Sequence, residues 1–267
     1  MVILISGVSS GIGKACAEYL SAKGHIVYGT SRNPISREKQ SYVTIEMDVN
    51  ESDSVRRAVE FVKQKEGRLD AVVNNAGFGI AGPLEETSVK EAKLQFETNF
   101  FGAFRVFKYV LPIMKGQGSG YIINIGSIGG LIGVPFQGIY SAAKFALTGI
   151  SESLSKELYG TGINVVLIHP GDTFTHFTQN RIIIAAHNSQ SDYSATFFKT
   201  LKIINSDEQN GMDPTRIARI VNRILKKKRP RLCYIIGKPE QKLGVILKHL
   251  MPGRIFERII NYHYGIK

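Results

Sequence analysis

MVILISGVSSGIGKACAEYLSAKGHIVYGTSR, residues 1–32, places an apolar run, a glycine-rich turn, an amphipathic segment and a second apolar run in succession. VILIS (2–6) and HIVYGTS (25–31) are short and rich in β-branched residues, so they read as strands. GKACAEYLSAKG (13–24) carries apolar residues at helical spacing and closes on Gly24, as helices usually do. Strand, crossover helix and strand specify a parallel pair.

The alternation continues through YVTIEMDV (42–49), LDAVVNNA (69–76), GYIINIGS (120–127), INVVLIHP (163–170) and RLCYIIG (231–237), with SDSVRRAVEFVKQKEG (52–67) as a further amphipathic helix. The expected fold is α/β: a doubly wound, seven-stranded parallel sheet with helices on both faces. No fixed-period repeat occurs, and GQGSG (116–120) is too short to separate domains, so residues 1–267 read as one domain. Two stretches break the pattern, 174–212 and 238–267.

A chain with 43% hydrophobic and 21% charged residues is neither disordered nor low in complexity. Its net charge of +12 is uneven: residues 216–267 hold 14 basic and 2 acidic side chains, against 20 of each in residues 1–215. Cys16 and Cys233 stand far apart without a CxxC partner, which excludes a zinc cluster or disulfide framework and fits a reducing compartment. No metal site is expected. MVILISG lacks a basic leader, and no apolar run approaches the ~18 residues of a membrane span. The expected location is cytoplasmic.

SGVSSGIG (6–13) puts glycines at 7, 11 and 13 between a strand and a helix. Such a turn lets backbone approach a pyrophosphate, whose charge the free N–H groups of the helix start can meet. Gly7, Ser9, Ser10, Gly11, Ile12 and Gly13 are therefore candidate cofactor contacts. A triphosphate loop is disfavoured, because Ala15 follows Lys14 where Ser or Thr is needed. The second strand ends Thr30-Ser31-Arg32, with no carboxylate to bind a ribose 2′-hydroxyl. Arg32, Ser31 and Ser10 suit a 2′-phosphate, so NADP(H) is favoured over NAD(H); the bland alternative for Arg32 is a solvated loop cation.

Tyr140 and Lys144 stand four apart in YSAAK and share a face if a helix spans them. A phenol with a pKa near ~10 is a weak proton donor at neutral pH, and a neighbouring ammonium is expected to lower that value. Ser127, ending the fifth strand, can donate to a substrate oxygen.

Taken together, SGVSSGIG, Asp48 after the third strand, NNAG (74–77), Asn99 in TNFFG, Ser127, the Tyr140/Lys144 pair and PGDTFT (170–175) resemble the short-chain dehydrogenase/reductase family over residues 1–175. One departure is Ser6, where the family usually has Thr; the hydroxyl is kept. The resemblance implies an NAD(P)-binding Rossmann-type domain with catalytic Asn99, Ser127, Tyr140 and Lys144. It also implies that Asp48 and Val49 hold the adenine, and that Asn75, Ala76 and Gly77 line the adenosine ribose side. Lys144 and Tyr140 would meet the nicotinamide ribose. Pro170, Gly171, the Thr173 backbone and the Thr175 side chain would flank the carboxamide, and Asn99 would hold a water linking Lys144 to solvent. His169 reads as a packed histidine. The implied reaction is hydride transfer between nicotinamide and a carbonyl or secondary alcohol, with Ser127 polarising the oxygen and Tyr140 moving the proton. A homodimer or homotetramer through the helices at 99–115 and 140–158 is also implied.

Residues 174–212 occupy the family's substrate-covering position and carry Phe174, Phe177, Ile182, Ile183, Ile184, Phe197 and Phe198, which suit a greasy substrate or simply pack on the sheet. The sequence from RLCYIIG onward resembles the hydroxysteroid and retinol dehydrogenase branch, implying a steroid, retinoid or long-chain keto compound. A 3-ketoacyl carrier-protein reductase is the enzymatic alternative, although those chains usually stop soon after the seventh strand. Here Leu243, Ile246, Leu247 and Leu250, then Ile255, Phe256, Ile259 and Ile260 beyond Pro252-Gly253, predict two amphipathic helices with Lys and Arg between. Three roles fit them: a pocket cover, an oligomer interface, or peripheral contact with an anionic membrane. KKKRPR (226–231) raises nucleic-acid binding, but that role has no use for the Ser, Tyr and Lys set, so no nucleic acid is expected.

Overall fold

The computed structural model of the protein describes residues 1–34, 41–184 and 192–266. The chain runs β1 (Val2–Ser6), α1 (Gly11–Ala22), β2 (Ile26–Ser31), β3 (Val43–Glu46), α2 (Ser52–Glu66), β4 (Ala71–Asn74) and β5 (Ile80–Ala81). It continues through α3 (Val89–Phe96), α4 (Gly102–Gln117), β6 (Gly120–Ile125), α5 (Gly138–Glu157), β7 (Ile163–Pro170) and β8 (Ile182–Ile183). It ends with α6 (Ser194–Gln209), α7 (Thr215–Leu225), β9 (Cys233–Ile236), α8 (Pro239–Leu250) and α9 (Gly253–His263).

Seven strands pair in parallel in the order β3-β2-β1-β4-β6-β7-β9, which is the expected sheet. The order reverses between β1 and β4, so the turns after these two strands diverge and leave a crevice at their carboxyl ends. Several strands are shorter than their apolar runs. β3 stops at Glu46 and β4 at Asn74, leaving Asp48 and Asn75 in the loops that border the crevice. A second, two-stranded sheet was not expected: Ile80 and Ala81 of β5 pair in parallel with Ile182 and Ile183 of β8.

β1 shows why the sheet needs helices on both sides. Val2 and Leu4 point into a core with Val55 and Val59 of α2, Val106 and Val110 of α4, and Leu147 of α5. Ile3 and Ile5 point the other way, against Cys16, Ala17 and Leu20 of α1 and Ile217, Val221 and Ile224 of α7. Continuous apolar runs are what a strand buried on both faces requires. A smaller cluster of Ile132, Val245 and Phe256, with Leu247 and Ile260 against it, docks α8 and α9 beside the loop that follows β6. The stretch 174–212 is more regular than its sequence suggested, since α6 fills its second half; residues 185–191 lie outside the described residues.

The turn after β1 depends on two glycines for different reasons. Gly7 has φ +72°, a left-handed conformation that side chains disfavour. Gly13, inside α1, is set by space: a Cβ there would lie 2.2 Å from the Gly7 carbonyl oxygen and 2.4 Å from Asn75 Nδ2. Gly13→Ala is expected to cost about 1–3 kcal/mol by overpacking. The measurement is the thermal unfolding midpoint, and an unchanged midpoint would show that the helix start relaxes freely.

Candidate active site

The end of β1 is tied to the end of β4 by one hydroxyl. Ser6 Oγ accepts the backbone N–H groups of Asn75 (2.9 Å) and Ala76 (3.0 Å), while Asn75 Nδ2 donates to the carbonyls of Ser6 (2.9 Å) and Gly7 (3.0 Å). The hydroxyl kept at position 6 therefore closes the glycine turn against NNAG. Asn74 anchors the strand behind it: its Nδ2 donates to Asn124 Oδ1 (2.8 Å), and Asn124 Nδ2 donates to Ser151 Oγ (2.8 Å) on α5. These buried amides were not singled out from the sequence, although Asn124 interrupts the apolar run GYIINIG.

One cavity of about 940 Å³ extends from this turn along the carboxyl ends of the strands. Its walls include Gly7, Ser9, Ser10, Gly11 and Ile12 of the glycine turn, Ser31 and Arg32 at the end of β2, and Asp48 and Val49 after β3. They continue with Asn75, Ala76 and Gly77, then Ser127, Tyr140 and Lys144, and then Pro170, Gly171, Thr173 and Thr175. A dinucleotide fits this arrangement: a glycine turn with its N–H groups free at the start of α1, hydroxyls and a guanidinium at one end, and a buried phenol at the other. Thr175 rests on Gly11, where a Cβ would stand 3.2 Å from the Thr175 Cβ. Gly13 is the exception among the expected contacts. It does not line the cavity, and its missing side chain serves helix-to-strand packing instead.

Asn99 is anchored through its side chain. Its side chain bonds one neighbour twice, with Nδ2 donating to the Phe78 carbonyl (2.9 Å) and Oδ1 accepting from the Phe78 N–H (3.1 Å). It sits in a π-helical turn, Glu97–Phe101, a rare distortion that often marks functional positions. A separate cavity of about 10 Å³ lies between Asn99, Lys144, Ile125 and Asn74, and Asn74 Oδ1 is buried without a hydrogen bond. That space suits a single water.

Ser127 is held from both sides. Gly129 N–H donates to its Oγ (2.9 Å) in the short 3₁₀ turn Ile128–Gly130, and His169 Nδ1 donates to its carbonyl (2.8 Å). His169 is fully buried, and burial pushes its pKa down, so it is a neutral packing histidine as expected. Tyr140 and Lys144 lie one helical turn apart on α5, both buried. The expected lowering of the phenol is not found. Burial pushes Tyr140 up to about 12, with only the hydrogen bond to Ser127 and the charge of Arg181 working the other way. Lys144 donates to the Ile125 carbonyl (2.8 Å), and its Nζ lies 5.9 Å from the Tyr140 ring centre. Burial brings Lys144 itself down to about 8. Desolvation dominates, and Tyr140 stays a neutral acid.

The far end of the cavity was not anticipated from sequence. Asp172, inside PGDTFT, shares it with Asp207 and Glu208 of α6, Glu240 and Gln241 of α8, and His263 and Tyr264 at the end of α9. Gln241 Nε2 donates to Asp172 Oδ2, Arg181 pairs with Glu208, and His263 Nε2 meets Asp207 at 3.1 Å. Burial, then Asp207 and Glu208, push the Asp172 carboxyl up to about 6. Apolar walls complete the space. Phe177 and Ile182 from the covering segment line it with Leu247, Phe256, Ile259 and Ile260 of the tail. Ile184 and Phe197 pack into the body, whereas Phe174 and Phe198 are exposed. The expected cover and the two tail helices are thus both present at the mouth.

A family model described as short chain dehydrogenase matches residues 1–182. A 3-ketodihydrosphingosine reductase of Bacteroides thetaiotaomicron is 42% identical over 266 residues, covering 100% of this chain and 98% of the relative. Human retinol dehydrogenase 8 is 34% identical over 252 residues, covering 86% of this chain and 79% of the relative. Among solved structures, a short-chain dehydrogenase from Streptomyces avermitilis superposes with a TM-score of 0.81 at 27% identity, covering 99% of this chain and 95% of that one. The matched segment carries the glycine turn, NNAG, Ser127, Tyr140 and Lys144, and the chain belongs to the short-chain dehydrogenase family of oxidoreductases.

Proposed function

We propose that the protein is an NADP(H)-dependent reductase of a long-chain ketone that carries an amine beside the carbonyl. The observation that carries this reading is the composition of the cavity wall beyond Tyr140: apolar side chains for a hydrocarbon, and carboxylates at Asp172, Asp207 and Glu208 for a cation. Arg181 and His263 occupy Glu208 and Asp207, whereas Asp172 faces an uncharged amide from Gln241. A 3-keto sphingoid base, the class of compound named in the Bacteroides relative, joins a ketone, an ammonium on the adjacent carbon and a saturated chain. Asp172 is within electrostatic range of the Tyr140 phenol.

Bound NADPH would supply the hydride. Ser127, fixed by Gly129 and His169, hydrogen-bonds the carbonyl oxygen, and Tyr140 gives it the proton. A phenol held at about 12 stays protonated until the oxygen gains charge, which suits a general acid in the reductive direction. Lys144 then donates to the phenolate, and the small cavity beside Asn99 offers a route for proton return. At the other end Arg32, Ser31 and Ser10 support the 2′-phosphate reading, since charge-assisted bonds to a phosphate are the strong ones. Phe101 and Phe104, at the start of α4, are 42% and 50% exposed, which supports a homo-oligomer packed through this helix.

The test is a panel of a 3-keto sphingoid base, its analogue without the amine, retinal, steroid ketones and an acetoacetyl thioester, each with NADPH and NADH. The amino ketone with NADPH is expected to give the highest kcat/KM. Turnover confined to the thioester would return the reading to a carrier-protein reductase. Arg32→Asp is expected to shift the NADPH:NADH ratio by roughly tenfold to a hundredfold toward NADH, the value of one or two charged hydrogen bonds. Tyr140→Phe should lower kcat by about 10²–10⁴-fold while the dinucleotide still binds; retained turnover would sink the mechanism.

Asp172→Asn has two expected effects. KM for the amino ketone rises roughly tenfold, the weight of one charge-assisted bond, and the analogue without the amine is unaffected. The folded-state carboxyl is raised, so its ionisation opposes folding from about pH 4, the unfolded value, up to about pH 6, and the penalty is constant above. The variant should therefore gain stability over wild type as pH rises through that window, read as a larger excess of its unfolding midpoint over that of wild type at pH 8 than at pH 4. An unchanged KM would remove Asp172 from substrate recognition.

A further inference from the structure

The two tail helices carry more apolar surface than a pocket cover needs. Inward, Val245 and Phe256 pack on Ile132, and Leu247, Phe256, Ile259 and Ile260 line the cavity. Outward, Leu243, Ile246 and Leu250 repeat at i, i+3 and i+7 on α8, and Ile255, Ile259 and Tyr262 repeat at i, i+4 and i+7 on α9. Each trio falls on one face of its helix. All six side chains are between 43% and 88% exposed. A surface helix that faces only water turns a polar face outward, so grouped exposed apolar residues mark a contact surface.

Charge narrows the choice of partner. α8 and α9 carry Lys242, Lys248, Arg254 and Arg258 against Glu240 and Glu257, and Glu240 is turned to the cavity wall. Lys248 is partly committed, donating to the Leu131 carbonyl above the Phe145 ring. KKKRPR belongs elsewhere: it precedes β9, which runs parallel to its neighbours, so it lies at the sheet edge opposite the cavity. A contact between two copies through this face would set its cations against each other, which is unfavourable. No described helix is long and apolar enough to cross a membrane.

We propose that the outward face of α8 and α9 rests on an anionic lipid surface, with the cavity mouth opening onto it. Ile259 is both 43% exposed and part of the cavity wall, so the surface and the mouth are continuous. Apolar side chains enter the headgroup boundary while the flanking Lys and Arg stay with the phosphates, the arrangement of an interfacial amphipathic helix. An apolar substrate held in the lipid would reach Tyr140 without crossing water. The contact stands independently of which ketone is reduced.

The experiment is co-sedimentation of the full chain with phosphatidylcholine vesicles, with and without phosphatidylglycerol. The protein is expected to pellet with the anionic vesicles, less so at high salt, and to stay in solution with the neutral ones. Replacing Arg254 and Arg258 together by Gln should weaken binding roughly twentyfold, about fivefold for each charge near the surface. Leu243→Ser with Ile246→Ser should remove binding. These four residues lie outside the cavity wall, so the unfolding midpoint and dinucleotide binding are expected to hold and show that each variant is folded. No pelleting of wild type at low salt would overturn the proposal. So would light scattering in which the Leu243→Ser, Ile246→Ser variant splits an oligomer, since the face would then belong to a second copy. Vesicle binding with no turnover of the amino ketone would retire the substrate reading and leave this one standing.

Discussion

Two backbone N–H groups converging on the Ser6 hydroxyl hold the structure's working edge together. They join the turn after β1 to the turn after β4, the two turns that diverge where the strand order reverses. The close fit of α1 depends on that join, because Asn75, fixed by it, presents its amide to the space a Gly13 side chain would need. From there the constraint passes sideways. Asn74, the last residue of β4, is bonded to Asn124 of β6, and Asn124 to Ser151 of α5, the helix that carries Tyr140 and Lys144. Dinucleotide end and reacting end are thus linked by a buried polar chain, and such networks specify one arrangement because an unpaired member is expensive.

Burial is what gives the reacting groups their character. A neighbouring ammonium alone would make Tyr140 a stronger acid, but both groups are removed from water, and desolvation disfavours the charged form of each. The phenol rises to about 12 and the ammonium falls to about 8, so two values that nearly coincide in water are drawn apart. A proton therefore passes readily from the Lys144 ammonium to a Tyr140 phenolate and not back, which suits a phenol that gives up its proton and is then re-protonated. Ser127 contributes to this by its fixed position, bonded at Oγ by Gly129 and at its carbonyl by His169.

What could be read from the sequence was what is local. The seven strands follow from short apolar runs, the crevice from a glycine turn at a strand-to-helix junction, and the Tyr140/Lys144 pair from a spacing of one helical turn. The rest arises from residues far apart in the chain. β5 and β8 are two residues each and about a hundred positions apart, too short for any periodicity to announce them. The amide of Asn99 bonds to Phe78 from within a π-helical turn, and nothing in TNFFG signals that turn. Asp172 stood inside a quoted motif but gained its meaning only when α6 and α8 brought Glu208 and Gln241 to it.

On the substrate reading proposed above, Asp172 sets stability against function at this site. A structural role would be served as well by an amide, which would accept from Gln241 without adding a charge beside Asp207 and Glu208. Retaining a carboxylate there opposes folding at neutral pH, and the opposition disappears when a cation arrives. The same logic applies to the outer faces of α8 and α9, where Leu243, Ile246 and Leu250 leave more than half of their surface in water and become favourable once covered. In both places the free protein holds an unfavourable feature that a particular kind of contact relieves. One feature lies on the cavity wall and the other outside it, so on the readings proposed above a cationic substrate would relieve the first and a lipid surface the second.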